Sequence, residues 1–570
     1  MIDDDDENVL PFPRKNVEDL PDELKAMLSD LARIKRTQPI TYTQRRNRLA
    51  RALGIRKGAI DEHVDLLIKA DKTNTDPDND EVIDDLFVVG KTKSTLWKNS
   101  DRVGYATFER DGHLENHCIK GEDYQDFLGD EYSKEHQREV KGELLPIYPK
   151  QAPIKEAISQ LYSYARNHGE ERKPRIRVNF VDGALWLDLG RSDWKGVRIT
   201  EEGWTVKDKI TAPLIRGQGM RDLPIPAAGG DINALRDFTN SRTDEEFVLF
   251  CGCTVGLFNT FGNYTTTIFC GPAGSAKTSA CRVMRRLVDP NKVDTKPFSS
   301  ARDLRHAAGS THVIGLENIS GISGEFSDEI CRLNTGLSFS ERLYYSQGRE
   351  FQSNAHCPVL INGIPPDLAE RDDLIDRTVT FSFSLLGDKL ISDDVFWREF
   401  NGARPRLLGA LLDGVVSALR VRQEFRGDND AAGAKLLDGW RPRFIDFAVF
   451  AEAGCRAMGF EPGAFAEAYK NNQGYIIRCY AERDPICVGI HGLIAARGPF
   501  RSYPQDLYEA IKPYAQKCEE PLAASSSWLM RRLPRAIPAL FKVHGIRVQT
   551  GVWLDDNGNN NGIIIPRCHW

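Results

Sequence analysis

Residues 264–289 read YTTTIFCGPAGSAKTSACRVMRRLVD. Three signals follow one another in this stretch. Tyr264 to Cys270 is a β-branched and apolar run that suits a buried strand. Gly271-Pro-Ala-Gly-Ser-Ala-Lys277-Thr278 is a glycine loop, and the residues after it suit a helix. Strand, glycine loop and helix form the context in which a Walker A sequence cradles phosphates. Gly271 and Gly274 permit a tight turn whose N–H groups face inward, and the helix N-terminus adds its dipole. Gly271, Pro272, Ala273, Gly274, Ser275, Ala276, Lys277 and Thr278 are therefore expected to bind ATP. Lys277 reaches the β and γ phosphates, and the Thr278 hydroxyl is expected to ligate Mg²⁺. Ala276 stands where glycine is usual. Alanine tolerates helical φ/ψ, so the loop is expected to survive.

Further along the chain, His312 to Asn318 (HVIGLEN) reads as an apolar strand ending in Glu317. That is the place for the acid that serves the metal and the attacking water. Asn318 follows where a second acid is more usual. Cys357 to Asn362 (CPVLIN) is a further strand with a polar tip. Arg377 comes just before the strand that begins at Thr378, with Arg371 as a second candidate for the same role.

In this order the pieces resemble the helicase part of phage and viral primase-helicases of superfamily 3, a branch of the AAA+ ATPases. The motifs cover roughly residues 230–415, and Ser327 to Pro365 is the clearest stretch. The resemblance implies an AAA+ type P-loop core and a ring of several copies, with hexamer as the expectation. It implies that Lys277, Glu317 and Asn362 serve hydrolysis and that Arg377 completes a neighbouring subunit's site. It also implies DNA contacts from Arg332 on a helix, Thr335-Gly336 as a turn, and a hairpin bearing Arg342, Tyr345 and Arg349, with Tyr344 or Tyr345 stacking on bases. No primase site is recognisable. Asp182 and Asp188 read as turn and strand-end residues rather than metal ligands.

The chain has 570 residues, 41% hydrophobic and 28% charged, which suits several soluble domains. The fold class expected is multidomain α/β. Residues 1–80 read as an acidic tail and a basic helix-turn-helix outline. Residues 81–232 read as an α+β, strand-rich accessory region, with a polar linker at Thr73 to Asp80. Residues 233–415 form the ATPase core, residues 416–480 are helical, and residues 481–570 have a winged-helix outline. That last region carries Arg531, Arg532, Arg535, Lys542 and Arg547, with Pro534 and Pro538 expected to bend its helix. Net charge is −6, so any DNA contact must come from local clusters. The 12 cysteines form no Cys-x-x-Cys pair; Cys251 and Cys253 read as buried and reduced. No membrane span or secretory signal is expected, and the location expected is cytoplasmic.

The function expected from these readings is an ATP-dependent DNA helicase or translocase of phage or mobile-element replication. Single-stranded DNA would lie in the ring pore, with duplex at the terminal domains. The alternatives are a nucleotide-gated DNA-binding initiator or regulator, and a defence or signalling ATPase acting on protein.

Overall fold

The structure is a computed structural model. It describes residues 22–566 apart from 38, 54, 76–78, 141–142, 298–299, 320–322, 337–338, 343–349, 354–355, 364–373, 375, 387–390, 517, 519–521, 523–524 and 553–561. The fold is mixed α/β. The chain divides into two compact units, Met1–Trp97 with Gly104–Ala106 and His117–Gly169, and Lys98–Val103 with Thr107–Asn116 and Glu170–Trp570.

In the first unit, helices Asp22–Thr37, Pro39–Leu53 and Lys57–Thr75 close around Leu28, Leu31, Ile34, Tyr42, Ile60 and Val64. Two of the arginines read as a basic cluster are spent inside this bundle. Arg45 pairs with Asp30 at 2.7 Å and Arg46 with Asp61 at 2.8 Å. Of the linker expected at Thr73–Asp80, residues 76–78 lie outside the described residues; one helix runs to Thr75 and the next, Asn79–Lys93, begins on an acidic first turn that suits its dipole. Residues 82–145 are correspondingly more helical than their charge content suggests, with Glu122–Glu135 as a second helix. Gly90 lets Leu161 of helix Gln151–His168 approach, since a Cβ there would stand 2.5 Å from the leucine methyl.

The second unit opens with an antiparallel meander, Val178–Val181, Ala184–Asp188, Gly196–Ile199 and Trp204–Lys207, paired in sequence order. Asp182 and Gly183 turn the first hairpin, both with positive φ (50° and 73°), which is why Asp-Gly occurs there. Asp188 is buried and neutralised by two 2.9 Å hydrogen bonds from Arg216. Among the described residues no group of three or more His, Cys, Asp or Glu is placed to hold a metal ion.

The centre of this unit is a five-stranded parallel sheet. Its strands in chain order are β1 (Thr266–Cys270), β2 (Lys296–Pro297), β3 (Ile314–Ile319), β4 (Val359–Gly363) and β5 (Thr378–Ser382). They lie in the order β2-β3-β4-β1-β5. Helix α1 (Lys277–Val288) leaves the loop after β1, and α2 (Gly324–Thr335) precedes β4. β1 and β4 are buried throughout, as expected of parallel strands covered on both faces.

The boundaries expected at 232/233 and 415/416 fall inside continuous structure. A 3₁₀ turn spans Ile232–Phe238, and one 32-residue helix spans Asp393–Glu424. A single hydrophobic core runs from Val178 of the meander to Tyr469 of helix Ala464–Arg483. The C-terminal segment has its own core and runs helix Pro485–Arg497, strand Phe500–Ser502, helices Pro504–Ala515 and Ser526–His544, then strands Gln549–Val552 and Gly562–Ile565. Pro534 and Pro538 both lie inside the helix Ser526–His544. Strand Gly562–Ile565 lies between the other two. Among the described residues no helix is long and apolar enough to cross a membrane. Cys251 and Cys253 are free and buried, and burial pushes both thiols up.

One buried ion pair ties the meander to the sheet. The Arg177 guanidinium donates to Asp289 at 2.9 Å and to the carbonyls of Asp188, Arg221 and Pro290. Asp289, just past α1, also accepts from the Thr311 hydroxyl and from the N–H groups of His312 and Val313 leading into β3. Burial pushes the Asp289 carboxyl upward, but Arg177, Arg285 and these donors outweigh it and hold the pKa at about 2. Its folded pKa is therefore below its unfolded one. The contribution is fully present above pH 4 and is lost as pH falls through about 2, a span worth roughly 2 kcal/mol. Asp289→Ala leaves a buried, unpaired Arg177 and is expected to cost about 3–5 kcal/mol. Denaturant titration between pH 7 and pH 3 checks both; a variant with wild-type stability and an unchanged acid slope would refute the assignment.

Candidate functional site

The site lies beyond the carboxyl ends of β1, β3 and β4, where open α/β sheets place ligands. β1 ends at Cys270, and the chain turns at once. Gly271 has φ 147°, and a Cβ there would stand 2.5 Å from the Phe383 carbonyl, so no side chain fits. Gly274 has φ 79°. The loop is backed by the segment after β5: Phe383 N–H donates to Cys270 O (2.8 Å), and Leu386 N–H reaches Gly274 O (3.4 Å). Asn240 fastens the two together by donating to Ser275 O at 3.0 Å and Ser384 O at 2.9 Å.

Ala276 departs from expectation. It is not helical but left-handed, with φ 60° and ψ 18°, immediately before α1 begins at Lys277. The loop must reverse before the helix starts, and that reversal needs positive φ. An L-residue pays roughly 1–2 kcal/mol for it. The loop survives because the backing contacts hold it, not because alanine is at ease there.

From the loop, the Lys277 ammonium donates to Pro272 O at 3.1 Å. The first N–H groups of α1 have no intrahelical acceptor and point out of the helix start. Thr278 accepts a 2.7 Å hydrogen bond from the Asn362 side chain, which joins the helix start to the tip of β4. Asn362 is buried, and its Oδ1 has no partner among the described residues; the same is true of the Ser275 hydroxyl. Register aligns Phe269 with Asn362, and Leu316 with Ile361, so Glu317 reaches the level of Asn362.

The strand bearing Glu317 does not end there. It continues to Ile319 through an irregularity in which Asn318 has φ 56°. Gly363 allows this close passage, since a Cβ would stand 2.1 Å from Ile319 O. The Glu317 carboxylate accepts a hydrogen bond from Thr295, and Arg282 of α1 lies 3.8 Å from it. Thr295, Arg282 and Asn240 were missed from sequence. They belong to no motif, and only the pairing of β2 with β3 and the winding of α1 bring the first two to Glu317.

Other expected residues lie elsewhere. Arg377 precedes β5, whose Thr378 is level with Thr266 at the start of β1. It is thus at the opposite end of the sheet, about 16 Å from its own loop along the strand. It is half-buried, with no partner for Nε among the described residues. Arg332 is exposed in the last turn of α2, 3.8 Å from Glu329, and α2 ends in a left-handed Gly336 (φ 71°). A hairpin follows, Phe339–Arg342 paired with Glu350–Ser353, and Arg342 lies in its first strand. Tyr344, Tyr345, Arg349 and Arg371 lie outside the described residues. Arg531 and Arg535 are exposed on helix Ser526–His544, and Arg532 stacks 5.0 Å from the Trp528 ring. Lys542 is engaged by Asp376 at 3.5 Å.

Residues 232–436, about a third of the chain, match the family model of the actinomycete integrative conjugative element replication protein. No curated protein matches the sequence significantly. Among solved structures, one similar chain is the apo NrS-1 C-terminal region, 9% identical with TM-score 0.38, covering 85% of this chain and 99% of that one. Another is described as the active helicase Cch of SCCmec type IV, 11% identical with TM-score 0.43, covering 83% and 92%.

The left-handed Ala276 yields a prediction independent of any ligand. Ala276→Gly relieves about 1–2 kcal/mol of strain against a glycine entropy cost of about 0.5–1 kcal/mol, so stability should hold or rise slightly. Ala276→Val places a β-branched residue in the same conformation and should loosen the loop. Hydrogen exchange of a peptide covering residues 271–280 reads this directly; faster exchange in the glycine variant than in the valine variant would contradict it.

Proposed function

We propose that this chain is an ATP-driven DNA motor, a helicase or translocase, that works in replication of a mobile genetic element. The observation that carries the reading is the convergence of Lys277, Thr278, Asn362 and Glu317 at the carboxyl ends of adjacent parallel strands, with Asn362 hydrogen-bonded to Thr278. The match of residues 232–436 to a replication-protein family supports the biological setting.

The residues suit a nucleoside triphosphate and its metal. The loop has no room for a side chain at Gly271, the helix start directs its first N–H groups outward, and Ser275 Oγ and Asn362 Oδ1 are buried beside it without partners among the described residues. Lys277 would release Pro272 O and pair with the phosphates. Thr278 and Glu317 would hold Mg²⁺, which when bound neutralises phosphate charge. Glu317 would orient and deprotonate the attacking water, and Asn362 would report the γ-phosphate to β4 and to the hairpin that leads into it. Arg377 is too far along the sheet to serve its own loop, so its part in hydrolysis is to complete a second copy's site in a ring, for which a hexamer is the proposed form. Single-stranded DNA would meet Arg332 and the Arg342 hairpin, including Tyr345 and Arg349. The C-terminal segment has the helix and strand order of a winged helix, and its Arg531, Arg532 and Arg535 would meet duplex phosphates.

A second reading, a nucleotide-gated DNA-binding switch with little turnover, is favoured by one observation. Glu317 is held by Thr295 and lies near Arg282, and Asn318 replaces a second acid. Hydrolysis measured with and without single-stranded DNA separates the two readings. The motor predicts turnover that DNA raises several-fold and that Lys277→Ala abolishes, with Thr295→Val raising basal turnover by freeing the carboxylate. Tight ATP binding without DNA-stimulated turnover would sink the motor and establish the switch.

A further inference from the structure

A cavity of about 460 Å³ is lined in part by Arg172, Lys173, Arg175, Asn179, Phe180 and Phe261. It is distinct from the phosphate loop. Its volume is in the range that takes a small ligand or one nucleotide. Three cations line it. Arg172 is used by Glu170, with hydrogen bonds of 2.8 and 3.0 Å. Lys173 and Arg175 have no carboxylate within ion-pair distance among the described residues. Burial lowers the Lys173 pKa, and the charge that lowers it further is that of Arg175. Glu171 and Asp182 line the cavity too, yet neither is ion-paired among the described residues.

The backbone of Lys173 and the guanidinium of Arg175 are held in place. Asn179 is buried and donates to Lys173 O at 3.0 Å, and Arg175 donates to Thr260 O at 3.4 Å. Phe180 and Phe261 meet edge to face at 4.6 Å and supply an apolar wall. The positive field extends inward: burial lowers the pKa of His356 to about 4, and Arg175 and Lys173 lower it as well. Two like charges side by side, partly desolvated and without an ion-paired carboxylate among the described residues, cost free energy that an anion would recover.

The cavity's neighbours say which anion. Arg175 lies beside Tyr264, whose ring is 4.7 Å from that of His356. His356 packs against Gly336, where a Cβ would come within 3.2 Å of its ring. Gly336 and His356 flank the Phe339–Ser353 hairpin on either side. A strand of nucleic acid meeting the roots of that hairpin would pass close to Lys173 and Arg175.

We propose that Lys173 and Arg175 bind a backbone phosphate of single-stranded nucleic acid, with Phe180 and Phe261 forming the wall against which the attached nucleotide rests. This rests on the DNA-binding part of the proposed function and not on the phosphate loop.

The test is fluorescence anisotropy of a labelled oligothymidylate with the full chain, without nucleotide, across a salt series. Lys173→Gln and Arg175→Gln should each weaken binding about five- to tenfold, and the logarithmic salt slope should become shallower by about 0.7 for each phosphate that is no longer neutralised. Lys173→Arg should restore both. Lys173 reaches the surface, so its variant keeps the test sound if Arg175→Gln fails to fold. Wild-type affinity and slope in Lys173→Gln would overturn the proposal while leaving DNA binding intact. Failure of the wild type to bind any oligonucleotide would overturn both. Protection of Lys173 from amine labelling by inorganic phosphate but not by the oligonucleotide would make this a free-anion site and also overturn it.

Discussion

Arg177 and Asp289 sit 2.9 Å apart with neither side chain reaching solvent, at the point where three parts of the second unit meet. Asp289 follows α1 and takes hydrogen bonds from the approach to β3; Arg177 belongs to the meander and reaches carbonyls at Asp188, Arg221 and Pro290. A buried charge is tolerable only if every donor and acceptor is met. That condition locks the end of α1 against the start of β3. It therefore holds the spacing between the loop at one end of α1 and Glu317 at the far end of β3. Arg177 itself has φ 64°, a left-handed conformation that the bonds around its side chain stabilise.

The candidate site shows the same economy of position. Three strands deliver Lys277 and Thr278, Glu317 and Asn362 to one edge of the sheet, and short polar contacts fix their orientation. Asn362 to Thr278 joins β4 to α1, Thr295 to Glu317 joins β2 to β3, and Asn240 clamps the loop from behind. The opposite edge has a different character. Tyr264, His312, His356 and Arg377 lie at the strand starts, and burial lowers the pKa of both histidines. The hairpin between α2 and β4 roots at this edge. Movement of β4 along its axis would link the two ends, since Asn362 closes one and His356 precedes the other.

The loop and strand positions are legible in the sequence because each rests on local chemistry. A β-branched run makes a buried strand wherever it is placed, and Gly271 and Gly274 announce positive φ. Asp182-Gly183 likewise announces its hairpin. Ala276 defeats the same reading because alanine carries no signal for a left-handed turn; only the backing contacts from Phe383 to Leu386 explain it. The boundary expected at 415/416 has no counterpart, because a helix of 32 residues has no break in periodicity to mark where one region's core continues into the next.

Period, turn chemistry and residue type, which act over a few neighbours, are thus enough to set the order of elements around the loop and the identity of the residues at their tips. They do not reach the rest. Folding in three dimensions is what brings Thr295 and Arg282 to Glu317, merges the meander with the sheet in one core, stands Arg377 away from its own loop, and turns Lys173 and Arg175 to one cavity. Each of these depends on strand order and register, which bring together residues tens to hundreds of positions apart and leave no trace in any short window of sequence.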